Sequence, residues 1–223
     1  MLDYFFSIRH EGENLFEHLK IWKEEDYRKI QGTYPVVFLS FAGVKANNYH
    51  EAYCDLCSLI SREYRRNVFL QNSDDFLPSD KKQFDKILSG EADVSEVCMS
   101  LNLLSEYLYN YYGKKVIILL DEYDTPMQEA YVSGYWDEMA DFIRRLFNYT
   151  FKTNPYLERA VMTGITRVSK ESVFSDLNNL VVITTVSKMY ADVFGFTEPE
   201  VFQALDEYGL REKADDVKSW YDG

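Results

Sequence analysis

Hydrophobic and polar positions change period several times along this chain. Leu15, Phe16, Leu19 and Trp22 recur at helical spacing and predict a helix over residues 13–30. The same reasoning predicts helices over 48–66, 79–88, 93–112 and 135–152. Ser79 is a candidate cap for the helix over 79–88, although Lys82 stands where a capping-box acid would sit. Residues 198–208 and 212–220 read as terminal helices, with Gly209 as the C′ residue of the first. Residues 2–7 begin at once with large apolar side chains and no cap, like the tail of a helix. Four segments read as strands: 35–41, 115–120, 159–166 (interrupted by Gly164) and 180–186. The second has no polar alternation, the pattern of a strand buried on both faces at the centre of a parallel sheet. Strands spaced by helices predict an α/β fold with right-handed crossovers and a mostly parallel sheet.

Composition narrows the function classes. The 223 residues fit one large domain or a domain with an appendage, and 16% aromatic residues are too many for disorder. Thirty-seven acids against 24 bases give a net charge of −13, which argues against binding nucleic acid or anionic membrane by bulk charge. The longest sharply apolar run, residues 116–120, is far short of the roughly 20 residues of a membrane span. Asp3 interrupts the first apolar stretch and no cleavage-site pattern follows. Three cysteines do not make a disulfide framework. The expectation is a soluble, cytoplasmic protein with no membrane partner.

One stretch carries chemistry. The strand over 115–120 ends in Asp121-Glu122-Tyr123-Asp124. In open α/β sheets, ligands sit outside the carboxyl ends of the strands. There Asp121 can hold the water shell of Mg²⁺, which takes one or two carboxylates plus phosphate oxygens. Glu122 can orient or deprotonate an attacking water. This is the pattern of a Walker B strand, although a strand may also simply end in solvated acids at a turn. Thr163-Gly164-Ile165-Thr166-Arg167 ends a later strand and offers hydroxyl and guanidinium donors to a transferring phosphate. A phosphate loop of the form G-x-x-x-x-G-K-[ST] is absent from these 223 residues. Gly113-Lys114 is followed by Lys115, has Leu108 in place of the first glycine, and precedes a strand.

Other constellations have plainer readings. His50, Cys54 and Cys57 share a helix face, but a structural zinc needs a fourth ligand and only the distant Cys98 remains. Buried small hydrophobes is the expected role of this C-x-x-C. His10 and His18 are assigned to packing or surface, and Tyr107, Tyr109, Tyr111 and Tyr112 to packing under the sheet rather than base stacking. Arg144-Arg145 fits either an arginine finger or a solvated helix face. Asp121, Glu122 and Asp124 are too close in sequence to surround a metal without further ligands.

Taken together, Leu119-Leu120-Asp121-Glu122-Tyr123-Asp124-Thr125-Pro126, residues 163–172, Leu177-Asn178-Asn179-Leu180, Phe194-Gly195-Phe196-Thr197 and Trp220-Tyr221-Asp222-Gly223 resemble the bacterial AAA-ATPase-like family of P-loop proteins. The resemblance implies a P-loop NTPase-like (AAA/RecA-type) three-layer sandwich. Residues 1–190 would be the core without its first strand and phosphate loop, and 191–223 the start of a C-terminal helical region. It further implies Mg²⁺ and ATP as ligands. Asp121 would be the metal acid, Glu122 the water-activating acid, and Thr166 and Arg167 sensor-like groups near the γ-phosphate. Family members begin upstream with a Gly-Lys-Thr loop and often continue into a PD-(D/E)xK nuclease-like domain, so nucleic acid is expected only through such a domain. The chain is therefore expected to be an N-terminally truncated ATP hydrolase core that binds nucleotide weakly or not at all by itself. The alternative is a nucleotide-free interaction module that keeps the fold. A missing central strand would leave a gap or make residues 180–186 rearrange, and unpaired edges invite homo-oligomers.

Overall fold

A computed structural model describes residues 1–74, 76–165, 177, 180–190 and 195–221. By compactness the chain divides into two units, Met1–Asn178 and Asn179–Gly223.

The first unit is built on three parallel strands in the order β1 (Val36–Ser40), β2 (Val116–Asp121) and β3 (Leu157–Met162). Val36 lies opposite Ile117 and Ser40 opposite Asp121, while Ile118 faces Ala160 and Leu120 faces Met162. The five residues from Val116 to Leu120 are all buried, as the unbroken apolar run predicts for the middle strand. Alternate side chains go to opposite faces. On one face Val36, Ile117 and Leu119 form a cluster covered by Phe6, Tyr34, Phe38 and Val161. Val37, Leu39, Ile118 and Leu120 occupy the other face and are equally buried.

Parallel strands need long crossovers, and helices supply them. Between β1 and β2 run α3 (Tyr49–Arg66), α4 (Pro78–Ser89) and α5 (Val94–Tyr112). Here α3 contacts β1 and α5 contacts β2, bringing Leu56, Ile60, Leu101, Leu104 and Leu108 into the core. Asn48 caps α3 by accepting the Glu51 amide, and Asp93 with Glu96 forms a complete capping box on α5. Gly113 ends α5 at φ +64°, a left-handed position that costs glycine little. Between β2 and β3 run α6 (Thr125–Ser133) and α7 (Trp136–Phe147), then a π turn over Asn148–Lys152.

Before β1 lie the short helices α1 (Leu2–Phe6) and α2 (Glu25–Ile30). The long helix expected over 13–30 is not formed. A 3-10 turn at Lys20–Lys23 and α2 stand in its place. Of its apolar face only Phe16 is buried, edge-on against Phe5 at 5.0 Å, while Leu15 and Leu19 stay exposed. A helix with one anchored side chain has little packing to hold it. Ser79 is not the cap of α4; Leu77 holds that position and Pro78 pre-sets the first turn. The strand expected over 159–166 is β3, displaced toward the N-terminus, and residue 166 lies outside the described residues.

In the second unit, α8 (Glu198–Glu207) starts at a Thr197–Glu200 capping box and α9 (Ala214–Tyr221) follows a 3-10 turn at Arg211–Lys213. Gly209 has φ +66° and ends α8 as expected. The expected strand over 180–186 is not one. Its residues have no ladder partner among the described residues, and a strand exists only through its pairing. Among the described residues no helix is long and apolar enough to cross a membrane.

Candidate functional site

The central strand delivers its last residue, Asp121, to the carboxyl rim of the sheet. Backbone pairing continues past the strand ends there. The Phe41 amide donates to Asp121 O (2.8 Å), the Thr163 amide to Leu120 O (2.9 Å) and the Tyr123 amide to Thr163 O (3.0 Å). Three chain segments are thus tied together around one carboxylate. Its two oxygens take separate donors, one from each flanking segment: Ser40 Oγ donates to Oδ2 at 3.1 Å and Thr163 Oγ1 to Oδ1 at 2.7 Å. Two hydroxyls from opposite sides fix the plane of the carboxyl group.

Glu122 follows with φ +49°, one of two non-glycine residues in the left-handed region among those described. Such a backbone costs about 1–2 kcal/mol for a residue with a Cβ. The turn is held by the Thr125 amide on Glu122 O (3.1 Å) and by Thr125 Oγ1 donating to Glu122 Oε2 (3.2 Å). Asp124 is fully buried and opens α6, and Gln128 Nε2 donates to its Oδ2 at 2.7 Å. Gly164 lies directly against it. A Cβ at Gly164 would sit 2.8 Å from Asp124 Cγ and 3.0 Å from a Tyr123 ring carbon. The glycine is what lets the segment after β3 approach the Asp121 turn.

Asp121 and Glu122 therefore share the rim with the start of the Thr163-to-Arg167 segment. Thr166 and Arg167 themselves lie outside the described residues. Ser40 was not singled out from the sequence, and Thr163 was, in the 163–167 segment, but as a donor to a transferring phosphate rather than to Asp121. The available signal was the hydroxyl residue at the end of each strand flanking an acid-tipped one, which becomes meaningful only once strand order and register are known. Lys45, in the loop after β1, is exposed and is the sole cation among residues 41–48, 121–125 and 163–165.

Hard oxygen donors dominate this rim. One fixed carboxylate, a second acid and two hydroxyls suit Mg²⁺, which keeps waters and phosphate oxygens in its shell. No cage of three or more His, Cys, Asp or Glu residues exists among the described residues, so the protein by itself does not encircle a metal.

The C-x-x-C lies elsewhere. Cys54 and Cys57 line a cavity of about 510 Å³ bounded by α3, α4 and the start of α5. Cys54 is exposed, contrary to the expected burial; Cys57 is half-buried and Cys98 buried. The outward turn of α3 at Cys54 accounts for the difference, since buried Ala52, Leu56 and Ile60 define the opposite stripe. His50 Nε2 is 3.8 Å from Cys54 Sγ. Burial pushes the Cys57 thiol up and the Cys98 thiol up to about 11, so neither is a ready thiolate. Of the tyrosines ending α5, Tyr107 is buried as expected for packing, whereas Tyr109 and Tyr111 are exposed.

Compared with known protein families, residues 1–174 match the family described as predicted AAA-ATPase, AAA-ATPase_like. The match covers well over half of the chain, and the chain belongs to that family. A relative from Azotobacter chroococcum mcd 1, described as an uncharacterized protein in the vnfD 5′ region, is 30% identical over 112 residues. That alignment takes in 50% of this chain and 22% of the relative, so the chain matches less than a quarter of the relative's length. No solved structure matches the chain.

Proposed function

We propose that the rim around Asp121 is the acid half of a Mg²⁺-dependent ATP-hydrolysing site. The observation that carries this reading is Asp121 itself: a carboxylate at the tip of the central parallel strand, each oxygen held by a hydroxyl from a different neighbouring segment. A group held that way needs little reorganisation to receive a hydrated cation. Bound there, Mg²⁺ would neutralise charge on the phosphate oxygens. Glu122 is the residue to orient and deprotonate the attacking water, and its left-handed backbone agrees with strain tolerated for function. Membership in a family described as predicted AAA-ATPase supports the same assignment. Thr166 and Arg167 would face the transferring phosphate.

The 223 residues contain no G-x-x-x-x-G-K-[ST] loop, and backbone donors with a lysine normally supply much of triphosphate binding. ATP affinity of this chain is therefore expected to be weaker than micromolar, Mg²⁺-dependent, and lost in Asp121→Asn. Calorimetric titration with ATP, with and without Mg²⁺, tests this. Any turnover should vanish in Glu122→Gln while weak binding persists. Binding that ignores both Mg²⁺ and the Asp121→Asn change would overturn the assignment. The absent phosphate loop favours a second reading, a nucleotide-free interaction module; complete lack of ATP binding at millimolar concentration would select it.

A further inference from the structure

The cavity of about 510 Å³ beside α3 belongs to no part of the rim around Asp121. Its walls are cross-linked within the first unit. Ser61 Oγ donates to Leu88 O at 2.7 Å, joining α3 to α4. Tyr64 Oη donates to Ser100 O at 2.7 Å, joining α3 to α5, and Lys86 Nζ meets Glu96 Oε1 at 2.6 Å, joining α4 to α5. A pre-formed cavity of this size, with an apolar wall and a few polar groups, is the usual form of a small-molecule site. Ile60, Ile87 and Val97, all nearly fully buried, supply the apolar wall.

The charge of the lining is one-sided. In a chain with a net charge of −13, Arg62 and Arg65 are the only charged side chains that line the cavity among the described residues. Neither has an ion pair or a side-chain hydrogen bond among the described residues, whereas their neighbour Arg66 takes Glu63 at 2.9 Å. No acid stands three or four residues from either arginine, the spacing at which a helix would supply a partner. Like charges at that spacing repel each other, so the pair favours a shared counter-ion. Along α3 the lining runs from Cys54 and Cys57 to these two arginines, and Cys54 to Arg65 is roughly 16 Å of helix. One end is therefore cationic and the other weakly polar, with apolar side chains between them.

We propose that this cavity binds a small amphiphilic anion, an oxyanion head group on an aliphatic chain. Arg62 and Arg65 take the head group through charge-assisted, forked hydrogen bonds. The chain lies back along α3 over Ile60 and Val97, toward Cys57 and Cys54. Ser58, Ser61 and Ser89 line the same cavity, but each donates its hydroxyl proton to a backbone carbonyl. Head-group recognition thus falls to the two guanidiniums. This inference stands apart from the nucleotide reading, since it uses no residue of the rim.

Cys54 is exposed where it lines the cavity, so its reactivity reports occupancy without any assay of turnover. The full chain is treated with N-ethylmaleimide while decanoate is titrated, and modification of Cys54 is followed by peptide mass spectrometry. Decanoate is expected to slow that modification saturably, about tenfold at ten times its half-saturating concentration. Decanol and decyltrimethylammonium, with the same chain but no anionic head, should protect far less. Arg62→Gln combined with Arg65→Gln should abolish protection over the same concentrations. Both arginines are exposed and hold no partner among the described residues, so folding is not at stake. Absence of protection by decanoate overturns the inference. So does equal protection by decanol, or protection that survives the double substitution.

Discussion

At the residue scale, two side chains sit where local chemistry alone would not put them. Glu122 holds a left-handed backbone at φ +49° that glycine would adopt more easily. Glu122→Gly is therefore expected to leave the fold as stable or up to about 1 kcal/mol more stable, while removing the proposed water-activating acid. Urea unfolding measures it; a loss above about 1 kcal/mol would mean the backbone there is not strained. Glu63 presents the opposite problem. Its side chain is 1% exposed on α3, with Arg9 Nη2 at 3.4 Å and Arg66 Nη1 at 2.9 Å. Burial raises its pKa above the ordinary glutamate value, and the attraction of Arg9 and Arg66 offsets this only in part. A raised carboxyl pKa means the folded state holds the proton more tightly than the unfolded chain. Stability then falls as pH climbs from the ordinary glutamate value, about 4.3, through the higher folded value, and levels off above it. Glu63→Gln keeps the shape and removes the titration. Its unfolding free energy should lose that downward step, which parallel denaturant curves from pH 4 to 7 would reveal.

At the scale of elements, legibility followed how much of the information was local. The central strand was readable because five consecutive apolar residues leave no polar face to solvate, and the structure buries all five. The helices α3, α5 and α7 were readable because their apolar stripes have a sheet or one another to cover. Residues 13–30 carry the same stripe, but only Phe16 meets the core, and periodicity does not say whether a partner surface exists. The helix α6 went unread because nine residues beginning Thr-Pro give a short and weak stripe. Residues 180–186 show the converse: strand propensity is local, whereas a ladder requires a second backbone. The same divide runs through the site. Asp121 and Glu122 were legible as two acids at a strand end. The hydroxyls that hold Asp121 come from positions 81 residues before and 42 after it in sequence, joined only by strand order. Gly164 could be read as a strand interruption but not as the clearance for Asp124.

At the scale of the whole molecule, burial is distributed very unevenly between the two units, each considered by itself. Met1–Asn178 contains every buried hydrophobic residue of the described chain. In Asn179–Gly223 neither α8 nor α9 has a buried residue, and Phe196, Tyr208, Trp220 and Tyr221 are all largely exposed. Packing of an apolar face is what ordinarily stabilises helices of 8–10 residues, since isolated helices shorter than about 12–15 residues are marginal in water. What remains for α8 is its Thr197–Glu200 capping box, worth about 1 kcal/mol, and exposed pairs such as Lys218–Glu198, worth about 0–1 kcal/mol. Opening of α8 and α9 should thus cost only about 1–2 kcal/mol, against the roughly 5–15 kcal/mol that guards the core of a folded domain. Hydrogen exchange resolves such a gap. Interior amides of α8 and α9 are expected to be protected no more than about thirtyfold, and those of β2 and α5 at least a thousandfold. Equal protection in both sets would mean that the aromatic side chains of the second unit are covered in solution, and the low local stability argued from their exposure would be wrong.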